Sequence, residues 1–585
     1  MVTQHKDGVA FGVVASQNLA LSLAGRPSED VQATFCAVLV AQWAQLGVRQ
    51  AVLAPGSRST PMALALLNHP EITVHVFHDE RSAAFAALGI GLADERPAIL
   101  LCTSGTAVAH FHAAVIEADL SHVPLLVVTA DRPAELRDVG APQTVSQTHI
   151  FGNSVRWFHD PGVAEIASCD SWSPLAHHSF VACSGVNAGP VHINLPFREP
   201  LTGSAVEFEA QDHQRFHVAH HPRIAESDLQ ALADTMKTSR GIIVAGRGCG
   251  DPASVGELAR ATGWPILADS RSGCQGLPDA ILHFDSLIRE PNFAKMHQPE
   301  LVLRLGEAPS SKVLAQWVTA SGARQIHVSS YQTVFDPDQR VVSNITCEVS
   351  YFCATLAKCF EMSPASHVKT DWITRDHQAR RAIEQMHRDE NSLTASAVSR
   401  QLINALDSGS NLVLSSSMPI RDMEWFGGDC SKFRVFSNRG ANGIDGVLAT
   451  AIGVAVATGH PTAVLIGDVA FVHDSSSLIA LKRRDLNLKI LVTDNDGGGI
   501  FHYLPQATLL TPDVFETLFG TPHDTDIAQL AQAHGLPTFA VSSSAGLEAA
   551  LSTSGCAVIV VKTDRHNEVQ HHRLLHEAVH SALSL

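Results

Sequence analysis

The chain has 585 residues and a mass of 62.5 kDa, several times the length of a typical domain of about 100–200 residues. Hydrophobic residues make up 45% of it and charged residues 17%, which excludes a globally disordered chain and a small disulfide-stabilised scaffold. The formal net charge is -17, from 58 acidic and 41 basic residues. Because affinity for the phosphate backbone needs dense Lys and Arg, this balance predicts no nucleic-acid partner.

Cysteine usage and hydropathy together predict a cytoplasmic protein. The eleven cysteines show no CxxC spacing, and several lie in apolar runs, which is typical of reduced thiols rather than a disulfide framework. No uninterrupted apolar stretch reaches the roughly 18 residues of a membrane span, so none is expected. Residues 1–27 are expected to be a loose N-terminal extension and not a targeting peptide, because Gln17, Asn18 and Asp7 interrupt the required pattern.

The first part of the chain alternates predicted helices and strands. Ser28 is placed to cap a helix that ends near Gly47, and a short strand is predicted over 51–54. The loop PGSRSTP (55–61), a strand at 72–77 and a helix entered through HDER (78–81) follow. Two more strands, at 98–103 and from 123, end in SGT and TADRP. Ligands bind at the carboxyl ends of parallel strands, so we expect these polar residues to line a site.

Two segments, 203–222 and 362 to about 380, have linker composition and divide the chain into three parts of domain size. The middle part opens with the strand and glycine loop GIIVAGRGCGDP (241–252) and continues with strands at 264–269 and 301–307. Its glycines lack the full GxGxxG spacing, which favours a tight turn over a nucleotide site. The predicted fold class is α/β, with three Rossmann-like, doubly wound parallel-sheet domains over 28–205, 222–362 and 381–585.

The third part contains the sharpest chemical pattern. Gly467 and Asp468 end one apolar strand, and Asn495 ends the next after a gap that fits one crossover helix. A carboxylate, an amide oxygen and a carbonyl from the glycine run 497–499 make a hard-oxygen site that suits Mg²⁺ completed by diphosphate oxygens. The glycines also allow the backbone to approach phosphate closely.

With these residues in place, the chain resembles the thiamine-diphosphate enzymes, whose diphosphate motif is GD followed after about this gap by NN. The resemblance covers the whole chain and implies a pyrimidine-binding, a central and a diphosphate-binding domain in that order. It implies that Asp468, Asn495 and the Gly497 carbonyl hold Mg²⁺ or Mn²⁺ and that Gly467 belongs to the cofactor site. Asp494 stands where the family usually has its first asparagine, and Asp496 adds a second carboxylate without an assigned role.

The resemblance also assigns the cofactor's acid–base partner. It implies that Glu80, in VFHDERSAAFAALGIG, hydrogen-bonds the aminopyrimidine and favours the imino tautomer, whose nitrogen removes the thiazolium C2 proton. Taken alone, Glu80 is better explained as an acid favoured at a helix start, and the resemblance reverses that interpretation. Ile444, in NGIDG, resembles the bulky residue that holds the cofactor in its bent form.

Within that family, a set of motifs is similar to the members that make 2-succinyl-5-enolpyruvyl-6-hydroxy-3-cyclohexene-1-carboxylate for menaquinone and phylloquinone. The set comprises APGSRSTPM, HDERSAAF, TADRPAELRDVGAPQT, SSSMPIRD, SNRGANGIDG and DNDGGGIF. The resemblance implies a transferase that decarboxylates 2-oxoglutarate and adds the four-carbon carbanion to isochorismate by conjugate addition. It further implies a homodimer or homotetramer, with active sites between the first domain of one subunit and the third domain of another.

Two dicarboxylate substrates require several cationic groups, and the planar guanidinium of Arg binds carboxylates bidentately. The residues that match the family's substrate-contacting positions are Ser57, Arg58, Arg132, Gln143, Lys312, Ser417, Arg421 and Arg439. Some family members carry an arginine directly after the lysine, where this chain has Val313. Each arginine taken singly also fits an ordinary surface or salt-bridge role.

The sequence also leaves room for different functions. His576-Glu577-Ala578-Val579-His580 satisfies HExxH, the helical zinc motif of metalloproteases, but only five residues follow it and no third ligand is evident. A thiamine enzyme that uses pyruvate, similar to acetolactate synthase, and a catalytically inactive scaffold also stay open.

Overall fold

The computed structural model describes residues 18–209, 222–361, 367–389 and 393–584. The chain divides into two compact units. The first unit comprises Met1–Ala219, Asn438–Gly459 and Asp474–Arg484, and the second comprises His220–Ser437, His460–His473 and Asp485–Leu585. Every strand pairing within the described ranges is parallel.

One six-stranded sheet, of order β2-β1-β3-β4-β6-β5, forms the centre of the first unit. Its strands are β1 Gln50–Leu53, β2 Thr73–Val76, β3 Ala98–Cys102, β4 Leu125–Asp131, β5 Phe158–His159 and β6 Pro190–Pro196. Every residue of β3, β4 and β6 is buried, as expected for central strands with both faces covered. The α-helices are Ser28–Gln45, Thr60–Asn68, Glu80–Asp94, Thr106–Ala109, His112–Leu120, Trp172–Ala182 and Val447–Thr458, with 3-10 turns at Ala134–Leu136, Gly152–Ser154, Ile166–Ser171, Gly185–Asn187 and Ser475–Ala480.

The second unit contains two six-stranded sheets. The sheet of order β12-β11-β10-β7-β8-β9 uses β7 Gly241–Ala245, β8 Ile266–Ala268, β9 Ala280–Ile281, β10 Leu301–Leu305, β11 Arg324–Ser329 and β12 Val341–Thr346. Its helices are Glu226–Lys237, Pro252–Thr262, Phe284–Ile288, Pro291–Met296, Lys312–Ser321, Val349–Ala357 and His367–Asp389. Apolar faces on the two sides of this sheet form separate cores.

The other sheet of the second unit has the order β14-β13-β15-β16-β18-β17. Its strands are β13 Asn411–Leu414, β14 Arg434–Phe436, β15 Thr462–Gly467, β16 Leu488–Asp494, β17 Thr538–Val541 and β18 Ala557–Lys562. The accompanying α-helices are Ala395–Ala405, Met418–Asp422, Asp468–His473, Gln506–Leu509, Pro512–Phe515, Ile527–Ala533, Ser544–Leu551 and Arg565–Leu583, with a 3-10 turn at Gly499–Tyr503 and π-helical turns at Met423–Gly427 and Glu516–Gly520.

Three parallel, doubly wound sheets confirm the predicted fold class. In each sheet the strand order reverses direction along the chain, because the chain winds outward from an inner strand in both directions. A crevice opens at such a switch point beyond the carboxyl ends of the strands. Loops that carry predicted site residues follow β1, β3, β4, β13, β15 and β16, and therefore lie at the carboxyl ends of the strands in their sheets.

Some local predictions are wrong. Residues 367–380, expected to be a linker, belong to the helix His367–Asp389, whose apolar face packs through Trp372, Ala379 and Ile383 into a core of the second unit. Ser28 does not cap its helix, since Pro27 occupies the cap position without a side-chain hydrogen bond. Residues 18–23 are helical and Leu23 is fully buried, so this stretch is not a loose extension. Residues 1–17 and 210–221 lie outside the described residues.

All eleven cysteines are free, in agreement with the expected reduced state. Burial raises the pKa of the Cys102 thiol, which lies in the fully buried strand β3. Among the described helices, none combines the length and the apolar character needed to cross a membrane.

Candidate active site

The Asp468 carboxylate lies at the edge where β15 and β16 end side by side, with Gly467 paired to Thr493. The prediction that these two strand ends are adjacent is confirmed. Asp468 is only 2% exposed and begins the helix Asp468–His473. Its Oδ2 accepts hydrogen bonds from the backbone N–H groups of Asn495 at 3.1 Å and Gly497 at 2.9 Å. The loop after β16 is thus folded around this carboxylate.

The donor set at this edge fits a hard divalent cation. The buried Oδ1 of Asn495 has no hydrogen-bond partner, which leaves an amide oxygen available as a ligand. The Gly497 carbonyl accepts one hydrogen bond from Gly499 N at 3.0 Å and keeps a second lone pair. Burial raises the pKa of Asp468, and the N–H groups of Gly497 and Val469 oppose that shift. These residues could hold Mg²⁺ or Mn²⁺.

His523 joins this cluster, and no local signal in the sequence indicates it. Its Nε2 lies 3.4 Å from Asp468 Oδ2 and its Nδ1 lies 3.5 Å from Asp496 Oδ1. The Asp496 carboxylate also accepts from the backbone N–H groups of His523 and Asp524, at 3.0 Å and 2.8 Å. Asp494 is fully buried and pairs with Lys562 Nζ at 2.6 Å. The structure therefore gives both extra carboxylates a role in holding the loops.

The glycine run 497–499 is required by close backbone approach. Gly497 has φ of +143°, and a Cβ there would overlap the Gly520 carbonyl oxygen. A Cβ at Gly498 would overlap the Phe519 carbonyl oxygen, and one at Gly499 would lie 2.7 Å from Asn495 Nδ2. The run thus packs against the π-helical turn Glu516–Gly520.

Glu80 is the first residue of the helix Glu80–Asp94 and is half-buried. The preceding Asp79 caps this helix, because its Oδ1 accepts from Arg81 N at 2.8 Å. Its Oδ2 accepts from Ser476 Oγ at 2.6 Å, and Ser82 Oγ lies 3.1 Å from the same hydroxyl. Hydrogen bonds on both sides of Glu80 therefore fix the backbone from which its side chain extends.

Ile444 and Arg439 lie in the loop before the helix Val447–Thr458, and both side chains are partly buried. Glu117, itself buried, anchors this loop by accepting from Gly440 N at 2.8 Å and Ala441 N at 2.7 Å. Sequence reasoning missed Glu117, because its partners lie more than 320 positions further along the chain.

Three of the predicted substrate-contacting residues in the first unit are brought together. Arg132 Nη1 donates to the Gln143 carbonyl at 2.9 Å and to Ser104 Oγ, and Gln143 Nε2 donates to the Ser104 carbonyl at 3.1 Å. Burial, followed by the nearby charge of Arg58, lowers the pKa of Arg132. This pair of neighbouring cations favours an anionic ligand.

Arg58 itself is buried and held in place. Its Nη1 donates to the Phe197 carbonyl at 3.0 Å, and its Nη2 pairs with the exposed Glu199 carboxylate at 2.8 Å. Ser57, the preceding residue, is exposed at the end of the loop that follows β1. An incoming carboxylate could compete with the solvent-exposed Glu199 for the Arg58 guanidinium.

The remaining residues that were predicted to contact substrate lie in the second unit. Ser417 has φ of +74°, unusual for serine, and its carbonyl accepts from Arg421 Nη1. Burial lowers the pKa of Arg421, and Glu424 and Asp422 oppose this shift. The strained Ser417 backbone and the partly buried Arg421 guanidinium are thus held together in one turn.

Lys312 is exposed at the start of the helix Lys312–Ser321, whereas Val313 packs against an apolar core. Nearby, Ser310 N donates to Glu424 Oε2 at 3.0 Å, which ties the Lys312 loop to the turn that follows Arg421. Glu424, like His523 and Glu117, is a residue that sequence reasoning missed.

The two weaker motifs have structural explanations. Gly246 packs against the Glu307 carbonyl, and Gly248 and Gly250 have φ of +77° and +92°, which fits the predicted tight turn. In HExxH, His576 Nδ1 bonds Ser286 Oγ at 3.1 Å, and His580 is more than half exposed. Within the described ranges, the groups of three potential metal ligands lie at other residues.

Comparison with known families supports the domain order. Residues 33–150 match the thiamine pyrophosphate enzyme N-terminal TPP binding domain, 208–414 the middle domain, and 430–561 the C-terminal TPP binding domain. A benzoylformate decarboxylase structure from Polynucleobacter necessarius superposes with a TM-score of 0.70 at 16% identity, covering 91% of this chain and 99% of that one. At this identity the likeness shows the fold alone.

Curated relatives are similar over nearly the full length. The 2-succinyl-5-enolpyruvyl-6-hydroxy-3-cyclohexene-1-carboxylate synthase of Chloroflexus aurantiacus is 38% identical, covering 94% of this chain and 97% of its own. Proteins of the same name from Geobacillus kaustophilus and Myxococcus xanthus are 39% and 36% identical, covering 93% and 90% of this chain and 97% and 94% of their own. The chain therefore belongs to the 2-succinyl-5-enolpyruvyl-6-hydroxy-3-cyclohexene-1-carboxylate synthase family of thiamine-diphosphate enzymes.

Proposed function

We propose that this protein decarboxylates 2-oxoglutarate and adds the remaining four-carbon unit to isochorismate, with thiamine diphosphate and Mg²⁺ or Mn²⁺ as cofactors. The product is 2-succinyl-5-enolpyruvyl-6-hydroxy-3-cyclohexene-1-carboxylate, an intermediate of menaquinone or phylloquinone biosynthesis, and one CO₂ leaves per product. Family membership over nearly the whole chain carries this proposal. The orphaned Asn495 Oδ1 beside the Asp468 carboxylate supports its metal requirement.

When bound, thiamine diphosphate supplies the nucleophilic carbon that the amino-acid side chains lack. Asp468, Asn495 and the Gly497 carbonyl would hold the cation, and Gly467 leaves room at the strand end for the diphosphate. Glu80 would hold a proton at the aminopyrimidine ring, and its orientation follows from the capped helix start. Ile444 would set the bend between the two rings.

The substrate carboxylates would be bound by the cationic and polar groups at the strand-end loops. Arg58, Arg132 and Arg421 are the strongest candidates because each guanidinium is partly or wholly buried in a polar environment. The other proposed contacts are Ser57, Gln143, Lys312, Ser417 and Arg439. Their hydrogen-bonding groups would orient the two substrates and exclude water from the reacting atoms.

We further propose a homodimer or homotetramer in which each active site combines the first domain of one subunit with the third domain of another. The proposed location is the cytoplasm, which is consistent with eleven free cysteines. The proposed domains are 28–205 and 222–362, followed by a third that ends at 585 and does not begin at 381, because that position lies inside the helix His367–Asp389.

The decisive experiment is a coupled assay with both substrates. Purified protein is supplied with Mg²⁺, thiamine diphosphate and 2-oxoglutarate, with or without isochorismate, while CO₂ release and isochorismate consumption are followed. We expect CO₂ and coupled product in equal amounts when both substrates are present, and little turnover of pyruvate.

Two outcomes would overturn the proposal. Turnover of pyruvate without use of 2-oxoglutarate would assign the protein to an acetolactate synthase-like activity. Calorimetry that detects no binding of thiamine diphosphate in the presence of Mg²⁺ would instead indicate a catalytically inactive scaffold.

A further inference from the structure

Three side chains with metal-binding groups converge beside the glycine run, outside the cluster around Asp468. They are His502 in the 3-10 turn Gly499–Tyr503, Glu516 at the start of a π-helical turn, and His566 in the first turn of the helix Arg565–Leu583. One ligand atom from each lies within 4.8 Å of the other two. Both histidine Nε2 atoms lie 3.8 Å from Glu516 Oε1.

His502 provides an independent indication that something binds there. Its side chain is only 9% exposed, and neither ring nitrogen makes a well-aligned hydrogen bond, although the Gly498 backbone carbonyl attracts the ring. Its nearest ring neighbours, Phe515 and His566, meet it edge-on at centroid distances of 4.8 Å. A buried imidazole that lacks well-aligned partners loses more hydration than it regains, so a ligand at its free nitrogen would be favourable.

The charge environment favours a neutral imidazole and an oriented carboxylate. Burial, together with His566 and Arg565, lowers the pKa of His502, so that its ring is neutral and retains a lone pair at neutral pH. Arg565 Nη2 holds the other carboxylate oxygen, Glu516 Oε2, at 2.6 Å, which directs Oε1 toward the two imidazoles. An outer partner of this kind commonly orients a metal-binding carboxylate.

We propose that His502, Glu516 and His566 form a site for a divalent transition-metal ion of the Zn²⁺ class, separate from the Mg²⁺ site at Asp468. Two imidazole nitrogens and one carboxylate oxygen suit Zn²⁺, with an open fourth position for water. Bonds of about 2.0–2.1 Å in tetrahedral geometry place ligand atoms about 3.3 Å apart. The two 3.8 Å nitrogen–oxygen separations therefore require a contraction of about half an ångström. The two imidazole nitrogens lie within 4.8 Å of each other and require at most about 1.5 Å, which the exposed His566 side chain can supply.

The site has a direct structural connection to the cofactor loop. Arg565 Nη1 donates to the backbone carbonyls of Asn495 at 2.9 Å and Asp496 at 2.8 Å, while its Nη2 holds Glu516. A cation that drew Glu516 toward the imidazoles would act on the same guanidinium. Binding of the transition metal is therefore expected to change the hydrogen bonds that Arg565 makes to the loop that carries Asn495.

The test is titration of the protein, saturated with Mg²⁺ and thiamine diphosphate, with Co²⁺ as a spectroscopic substitute for Zn²⁺. We expect one equivalent to give the visible absorption of a four-coordinate nitrogen–oxygen site, and Zn²⁺ to displace it. His566→Gln should weaken Co²⁺ binding by at least about tenfold, since loss of a ligand exceeds loss of an outer partner. Because His566 is 62% exposed, this variant is expected to fold.

Two matched variants keep the assignment falsifiable. His580→Gln, on the same helix and more than half exposed, should leave the Co²⁺ spectrum unchanged. Asp468→Ala should also keep the spectrum while it loses Mg²⁺-dependent cofactor affinity, which separates this site from the proposed function. An unchanged spectrum in His566→Gln, a loss in His580→Gln, or no Co²⁺ absorption in the wild-type protein would each overturn the proposal.

Discussion

Glu80 depends on its neighbours for a fixed position. Asp79 caps the helix and also accepts from Ser476 Oγ, and Ser477 Oγ donates to Ser82 Oγ at 2.9 Å. These bonds constrain the first helical turn from two sides of the same unit. A carboxyl group that must meet one ring nitrogen of a cofactor needs such a constraint, because small displacements reduce proton transfer strongly.

Glu80→Gln should keep thiamine-diphosphate binding and slow C2 proton exchange of the bound cofactor by at least about 100-fold, since an amide cannot share the proton. Nuclear magnetic resonance of the exchange and calorimetry of cofactor binding measure the two effects separately. Glu95→Gln, exposed at the other end of the same helix, is the control and should leave both unchanged. Normal exchange in Glu80→Gln would contradict the assigned role.

Glu424 is a buried carboxyl group whose protonation is linked to folding. Burial, followed by the charge of Asp269, raises the pKa of Glu424 to about 8, and the N–H of Ser310 opposes the shift. A pKa that is higher in the folded than in the unfolded state means that the folded protein binds more protons between these values. Its contribution to stability is therefore complete below about pH 4.5 and is lost as the pH rises toward about 8.

Glu424→Gln removes this titration while it keeps an acceptor oxygen for Ser310. The variant should consequently gain stability relative to the wild-type protein as the pH rises from 5 to about 8. Urea unfolding at several pH values measures the difference. A stability difference that is flat over this range would show that Glu424 does not change its protonation state there.

Sequence reasoning reached Asp468, Asn495 and Glu80 because each stands at the end of a strand or the start of a helix in a recognisable motif. His523, Glu117 and Glu424 escaped it. Their partners lie far away in sequence, and a single acidic or histidine residue in a helix or loop has no local signature. Motifs thus indicate where candidate ligand groups stand in the sequence, whereas the residues that hold these groups in place are found only from the folded contacts.

Two helices of the first unit that are rich in glycine and alanine, Glu80–Asp94 and Val447–Thr458, pack closely against each other. A Cβ added at Gly89, in Glu80–Asp94, would overlap the Thr450 carbonyl oxygen, and one at Gly453, in Val447–Thr458, would overlap the Ala86 carbonyl oxygen. Glycines therefore allow the two backbones to touch directly. The helix that begins with Glu80 is positioned by this contact as well as by its cap.

Gly453→Ala tests that contact. At an exposed helical position the change would stabilise by up to about 1 kcal/mol through helix propensity. Here we expect a destabilisation of about 1–3 kcal/mol, because the added methyl group meets backbone that cannot move aside. Thr458→Ala, near the end of the same helix, should change stability by less than about 0.5 kcal/mol. Thermal unfolding measures both, and a stabilised Gly453→Ala would refute close packing.

Most strands were predictable, and the exceptions have physical reasons. Continuous apolar runs identified β1, β2 and β3 to within one residue at each end, and the predicted ends of β15 and β16 lie within one residue of the observed ends. The helix His367–Asp389 was missed, because its sequence is strongly polar and few of its residues are fully buried apolar side chains such as Trp372, Ala379 and Ile383. Asp376 Oδ1 further ties it to Leu282 N and His283 N, at 3.0 Å and 2.7 Å, contacts that no local pattern reveals.

At the scale of the whole molecule, the proposed sharing of active sites between subunits gives a complementation test. Glu80→Gln and Asp468→Ala chains with different affinity tags are produced together, and the mixed dimers are purified through both tags. If each site combines two subunits, one site per mixed dimer carries both changes and the other carries none. We expect about half of the wild-type activity per dimer, by that symmetry.

Each variant alone should be almost inactive, and this is the baseline of the measurement. Sites built from a single subunit would leave every site of the mixed dimer with one defect, so activity would stay at that baseline. Such a result would contradict shared sites and leave the proposed chemistry intact.

The helix Val447–Thr458 lies between β14 and β15 in sequence, but its contacts place it in the first unit, more than 200 residues after the N-terminal part of that unit. The segment Asp474–Arg484 repeats this pattern. A recombination event that exchanged the N-terminal third for a homologous one would therefore bring a new helix to face the old Gly453. Although the three sheets have similar topologies, the gene segments that encode the first and third sheets are expected to be inherited together.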